Sequence, residues 1–348
     1  MAISPLQVHS WITRAVAEHP TDLSSAFSNQ FGVTRATAAT WLRKLCHDEW
    51  LIRHGDKRPH YAMGPKRLLL SSYAIPGIDE SLCWVRDFEP YLDLNPGVSD
   101  ICHYGFTEML NNANDHSGGS TARVYVMQTA EKVFIAITDD GIGIFERITQ
   151  AIHLPDRRMA LLELSKGKLT TAPEYHSGEG IFFTSRIFDQ FSIVANNLEY
   201  THDSGSTADW LKELDPSRMV SGTQIRMTLP LNSNRVLKDI FNEFAGNDDF
   251  RFSKTIVPVR LARMGNENLL SRSQAKRLMQ RFDQFEIIIL DFDQVPEIGQ
   301  AFADELFRVF AKSHPAIKLF HTNASAGVLD MIQRSDVDNA VLVWHDKH

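Results

Sequence analysis

Glu108, Asn112 and His116 stand four residues apart in the stretch TEMLNNANDHSGG, residues 107–119. At that spacing three side chains share one face of a helix, each a turn from the next. A carboxylate in such a row can orient or deprotonate a water or a substrate hydroxyl. An Asn side-chain oxygen is a neutral, hard ligand that suits magnesium. Ala113, beside Asn112, lets a neighbouring backbone come close. Taken alone, the stretch reads equally well as the polar flank of a helix before a Ser-Gly-Gly turn.

The residues downstream separate these readings. Residues 122–128 (ARVYVMQ) and 132–138 (KVFIAIT) alternate or run apolar in the manner of two paired strands. The second leads into Asp139-Asp140-Gly141-Ile142-Gly143, an acidic residue before a Gly-x-Gly turn. Further on, Gly178 and Gly180 open the apolar-periodic helix of HSGEGIFFTSRIFDQF, and Ser221-Gly222-Thr223 begins the strand TQIRMTL. One Gly-x-Gly is weak, but four such elements in order are specific.

This order resembles the ATP-binding (Bergerat) domain of the GHKL superfamily, over about residues 80–230. That superfamily includes gyrase-type topoisomerases, heat-shock chaperones of the ninety-kilodalton class, sensor histidine kinases and mismatch-repair clamps. ExxxNAxxH followed by GEGIFFTSRIFD looks most like the anti-sigma-factor serine kinases, while Asp115 of NAxD also fits the gyrase-like branch. The resemblance implies ATP and magnesium as cofactors, with Asn112 as the metal contact and Glu108 as the catalytic base. It also implies a nucleotide site of Asn112, His116, Asp139, Gly141, Gly143, Gly178, Gly180 and Thr223, in which Asp139 takes the adenine amino proton with support from Thr223. The chemistry agrees. An ionised Asp only accepts, glycines let backbone amides approach a ligand, and the helix opening near Gly180 offers its N-terminus to phosphate. Between the glycine motifs, residues 144–177 suit a mobile lid, with Lys166 or Lys168 as candidate phosphate contacts. His103, His116 and His176 lack metal-ligand spacing, so zinc is not expected.

The rest of the chain must position this stretch. A length of 348 residues suggests two or three domains. With 43% hydrophobic and 23% charged residues the composition is that of a folded globular chain. No apolar run reaches the roughly 20 residues that cross a bilayer, the start lacks a signal sequence, and Cys46, Cys83 and Cys102 lack CxxC spacing. These features fit reduced thiols in a cytoplasmic protein. Net charge is −7, but residues 1–68 hold nine Lys/Arg against five acids, a net of +4 that leaves −11 for the remainder. A basic head on an acidic body points to a local polyanion contact.

The head has the pattern for one. Gln7–Glu18 is amphipathic, DLSSAFSNQF ends at Gly32, Thr34 caps RATAATWLRKLCHDEW, and LIRHGDKRPHYAM supplies two short strands. This order resembles a winged helix-turn-helix, which implies double-stranded DNA as a partner. Arg35, Thr37 and Arg43 would lie on the recognition helix, and Lys57 and Arg58 on the wing. A protein-binding winged helix is the alternative.

After Pro230, strands alternating with helices read as a third, α/β unit. LLSRSQAKRLMQRF and IIILDFDQVPEIGQAFADELFRVF look like the STAS-like domain found with GHKL ATPases. Antagonists of that kind carry their phosphorylated serine after the LDF-type strand. Here Gly299-Gln300-Ala301-Phe302 offers no hydroxyl, so self-phosphorylation at that place is excluded. The expected fold is therefore multidomain α+β. Its parts are a winged helix-turn-helix (1–68), a linker (69–80), a GHKL-type α/β sandwich (81–231), a linker helix (232–250) and a STAS-like domain (251–348). The expected function is a DNA-binding transcriptional regulator switched by Mg-ATP. The rivals are a serine/threonine kinase acting on a separate partner protein and an ATP-gated homodimeric ATPase.

Overall fold

The structure is a computed structural model, and it describes all residues except 1–2, 57–58, 170–177, 206–209, 216–220, 246–251, 264–267, 336–340 and 345–348. Lys57, Arg58 and His176 thus lie outside the described residues. Two compact units emerge. The first comprises residues 1–141, 188–190 and 222–235, and the second 142–187, 191–221 and 236–348.

The first unit opens with three helices, α1 (Pro5–Glu18), α2 (Leu23–Phe31) and α3 (Arg35–His47). Pro5 sits at the start of α1, Gly32 ends α2 in the left-handed conformation, and the Thr34 hydroxyl caps α3 by accepting from the Thr37 amide. Next comes an antiparallel hairpin, β1 (Leu51–His54) with β2 (His60–Met63). These elements enclose one core, with Val8, Ile12, Phe27, Leu42 and Leu45 all buried.

That core is not closed by the head alone. Residues 69–74, expected as linker, belong to β3 (Arg67–Ala74), which pairs antiparallel with β4 (Thr121–Gln128). Apolar Leu68 and Leu69 are buried in it. The Leu68 amide donates to the buried Thr13 hydroxyl of α1 at 3.0 Å, and half-buried Leu70, Tyr125 and Met127 pack against the head cluster. The turn signals flanking this stretch bound a strand, not a linker.

β4 pairs with β5 (Lys132–Asp139), and β5 with β9 (Thr223–Pro230), all antiparallel. The strict alternation of buried residues along β9 leaves one apolar face. That face is covered by α5 (Pro96–His116), whose buried residues Val98, Ile101, Cys102, Gly105, Phe106, Met109, Leu110 and Ala113 follow the helical repeat. Asn95 caps α5 and Pro96 starts it. Gly105 is required by a close approach, since a Cβ there would lie 2.3 Å from the Phe188 ring. Before α5, α4 (Glu80–Asp87) adds Trp84, which packs with Phe88 and Phe106.

In the second unit, α6 (Ile144–Ala151), α7 (Arg158–Lys166) and α8 (Gly180–Ile187) precede β6 (Gln190–Ala195), β7 (Leu198–Asp203) and β8 (Trp210–Glu213). After α9 (Leu237–Glu243) comes a wholly parallel sheet in the order β10 (Lys254–Pro258), β11 (Ile287–Asp291), β12 (Lys318–Thr322), β13 (Val341–Val343). Its crossovers include α10 (Arg272–Leu278), with a complete capping box at Ser271 and Gln274, and α13 (Ala326–Ser335). Between them α11 (Gln300–Ala303) continues through a π-helical stretch, Asp304–Phe310, into α12 (Ala311–Ser313). Phe182, Phe183, Phe244 and Phe252 form an aromatic cluster.

Thr13→Val keeps the shape of the side chain and removes the acceptor for the buried Leu68 amide. Orphaning such a donor costs about 1–3 kcal/mol, so urea denaturation is expected to show that loss. Unchanged stability would mean that the bond contributes nothing.

Candidate functional site

Asp139 ends β5, and its carboxylate is buried, with 7% exposed. Oδ1 accepts from the amides of Gly141 at 2.9 Å and Thr223 at 3.2 Å, and the Thr223 hydroxyl adds a further bond. Burial pushes this carboxyl above the usual carboxylate value, and those three bonds oppose the rise. The structure thus brings together Asp139, Gly141 and Thr223. Two close approaches make the arrangement specific. A Cβ on Gly141 would fall 2.2 Å from the Ser117 carbonyl oxygen, and one on Gly222 the same distance from that of Asp139.

Gly222 was missing from the sequence-predicted site. It adopts φ +78°, a conformation that other residues rarely take. Its signal was a Gly directly before the strand that supplies Thr223.

Asp140 plays a different part. Its exposed carboxylate accepts from the Ser120 and Thr121 amides and the Ser120 hydroxyl, which hold it down to about 2. It ties β5 to the loop that ends α5, where Ser117 donates to the Ala113 carbonyl.

Glu108, Asn112 and His116 lie half-buried along α5, as their spacing predicts. Asn112 is distinctive. Its side-chain Nδ2 is buried and lacks a hydrogen-bond partner among the described residues. An amide turned over keeps its shape, so either a donor or a hard carbonyl oxygen can stand at that point. A buried polar atom left open costs free energy, and a bound phosphate or magnesium would relieve it.

The second unit holds the other predicted glycines. Gly143, at φ +88°, begins α6, and a Cβ there would strike the Asn196 amide 2.4 Å away. That amide accepts from the Glu146 N–H and donates to the Ile142 carbonyl. Gly143 thus has a packing reason of its own. Gly178, at φ +71°, lies against the backbone of Leu169, whose amide donates to the Gly178 carbonyl. Gly180 is the first residue of α8, on which the buried Thr184 hydroxyl has no partner among the described residues.

The lid expectation needs correction. Every residue of α7 from Met159 to Lys166 is buried. Lys166 is fully buried, paired with Glu163 at 2.6 Å and donating to the Gln280 carbonyl, while Lys168 donates to the Gln284 carbonyl. Within the expected mobile lid of residues 144–177, α7 is thus enclosed and Lys166 is already committed as a donor, while residues 170–177 lie outside the described residues.

On α3, Arg35, Thr37, Thr40 and Arg43 are exposed together. Among the described residues no group of three His, Cys, Asp or Glu could hold a metal ion. Nor is any described helix long and apolar enough to cross a membrane. All three cysteines are free.

Residues 274–329 match the family described as a STAS-like domain of unknown function (DUF4325). No curated protein matches the chain. The chain is therefore a multidomain α/β protein with a C-terminal STAS-like domain, which supports a regulatory role.

Gly222→Ala places a methyl against the Asp139 carbonyl at a positive φ. It is expected to lower stability by more than about 1 kcal/mol in urea denaturation. A variant as stable as the parent would remove the close approach from the site.

Proposed function

We propose that this chain binds Mg-ATP at the Asp139 site and regulates a partner protein engaged by its STAS-like domain. The observation that carries the reading is Asp139, a buried acceptor steadied by Gly141 and Thr223 at a turn where Gly222 leaves no side chain. Such a carboxylate fits the exocyclic amino group of adenine. Asn112 would hold the magnesium through its side-chain oxygen, with the amide turned so that the oxygen stands where the buried Nδ2 now lies. Bound magnesium would neutralise charge on the phosphate oxygens. Glu108 would orient or deprotonate the attacking hydroxyl or water from one turn away.

The STAS-like domain favours the partner-directed alternative over a purely DNA-directed regulator. Gly299-Gln300-Ala301-Phe302 opens α11 without a hydroxyl, so a phosphoryl group would not be placed at that point of its own STAS-like domain. DNA binding by the head is the second reading, and what favours it is the open face of α3, with Arg35, Thr37 and Arg43 all exposed.

Asp139→Asn is expected to weaken ATP binding at least about tenfold, because a charge-assisted hydrogen bond is worth about 1.5–3 kcal/mol. Equal calorimetric affinity in a folded variant would refute the site. Affinity also depends on pH with a fixed sign. Protonation gives Asp139 an O–H in place of its acceptor, so affinity is full above its raised pKa and is lost as pH falls through it. Because burial raises that value above 3.8, the loss begins at higher pH than an exposed aspartate would give.

Labelled ATP incubated with the protein and with small STAS proteins as candidate acceptors separates the two activities. Label on an added protein supports the kinase, whereas free phosphate alone supports the ATPase. For the head, Arg35→Glu with Arg43→Glu should lower the slope of log affinity against log salt by about 0.9 for each phosphate no longer neutralised. A full chain that binds no duplex at low salt would make the head a protein-docking module.

A further inference from the structure

Alternation along the strands of the first unit gives its sheet a second face, turned away from α5. On β9 the buried residues point to the helix, with Met227 against Gly105, and half-buried Gln224, Arg226 and Thr228 take the other side. The registers set this face in rungs across β3, β4, β5 and β9. One rung runs Leu70, Tyr125, Ala136, Arg226, and the next Ser72, Arg123, Thr138, Gln224. Both rungs, with Phe134, line one open groove of about 620 Å³ that lies wholly within the first unit. Leu70 also lines a neighbouring hollow with Trp11 and Ala15, so α1 stands along the β3 side of the groove.

An antiparallel sheet can leave one face to water, and that face is then polar. Here the floor is apolar. Leu70, Tyr125 and Ala136 are successive partners, and the Phe134 ring lies 5.8 Å from that of Tyr125. Exposed Arg123 and half-buried Arg226 stand beside that floor, and none of the described residues lining the groove is acidic. Apolar surface rimmed by polar groups marks an interaction site. Its width suits one kind of element. Four strands about 4.8 Å apart span about 14 Å, enough for a single α-helix of about 10–12 Å diameter.

We propose that this groove docks an acidic amphipathic helix of a partner protein. The apolar stripe of the helix would lie on Leu70, Tyr125 and Phe134, and its carboxylates would face Arg123 and Arg226. A single-stranded nucleic acid also combines aromatic rings with arginines, but two observations favour the helix. The Tyr125 and Phe134 rings stand at 73° to each other, so they are not two parallel platforms for stacked bases. The chain also carries a net charge of −7, which repels a polyanion far more than a helix with a few carboxylates.

A labelled synthetic helix with leucines at i, i+3, i+4 and i+7 and glutamates on either flank tests this by fluorescence anisotropy on the full chain. A twin peptide with lysines for the glutamates and an oligothymidylate serve as the other probes. The glutamate peptide is expected to bind wild type and to lose at least about tenfold in affinity for Arg123→Glu with Arg226→Glu, because like charges brought together oppose docking. The lysine peptide should show the reverse order. Arg123→Glu alone changes an exposed residue and should give both shifts at smaller size, which covers a double variant that fails to fold. A glutamate peptide that does not bind wild type, or binds Arg123→Glu equally well, overturns the proposal. An oligothymidylate that displaces the glutamate peptide and itself loses affinity with Arg123→Glu would overturn it in favour of nucleic acid.

Discussion

A carboxylate buried at the end of a strand is the constraint around which the first unit is arranged. Asp139 needs donors, because an ionised group out of water is costly unless hydrogen bonds replace its hydration. The Gly141 and Thr223 amides supply them only because the chain turns tightly on both sides. Those turns leave no room for a Cβ at Gly141 or Gly222. Next door, exposed Asp140 uses the same kind of bonds for a different end, fixing the loop that closes α5. Two adjacent aspartates are thus set apart, one held up by desolvation and the other, exposed, held down by its donors.

Much of this was legible in the residues. An acid leading a Gly-x-Gly turn, and a helix with polar groups at intervals of four, locate β5 and α5 because local geometry and apolar periodicity are written in neighbouring positions. What escaped depends on partners far along the chain. α7 reads as part of a mobile lid over residues 144–177, with Lys166 or Lys168 taken as phosphate contacts. Glu163 and Lys166 are instead buried, with Arg281 as a partner 118 positions beyond Glu163, and no window of sequence contains that pairing. β3 escaped for a related reason. Turn signals on both sides suggested a linker, while the strand's reason to exist lies in β4, more than fifty residues later. Gly143 was legible as a glycine with a purpose, but the neighbour that makes it necessary, Asn196, is equally remote.

The cluster of Glu163, Lys166 and Arg281 also differs in kind from the apolar packing around it. Burying paired charges stabilises little beyond what well-packed apolar residues of similar volume would give, whereas removing one partner is severe, at about 3–5 kcal/mol. Such a cluster specifies one arrangement more than it strengthens it. Burial depresses the Lys166 ammonium to about 8, and the Glu163 carboxylate beside it is what keeps it from falling further. Specificity of this sort suits a segment whose exact placement matters more than its firmness.

The Thr13–Leu68 bond limits how this chain can be taken apart. β3 completes the core of the N-terminal helices with one face while it pairs with β4 through its backbone. A cut at residue 68 would split β3 between the two pieces and take Leu70, Tyr125 and Met127 away from the core of the helices. Any exchange of the head for another, whether by recombination in nature or by a protein engineer, would have to carry β3 along, which makes the strand a shared wall rather than a hinge between rooms.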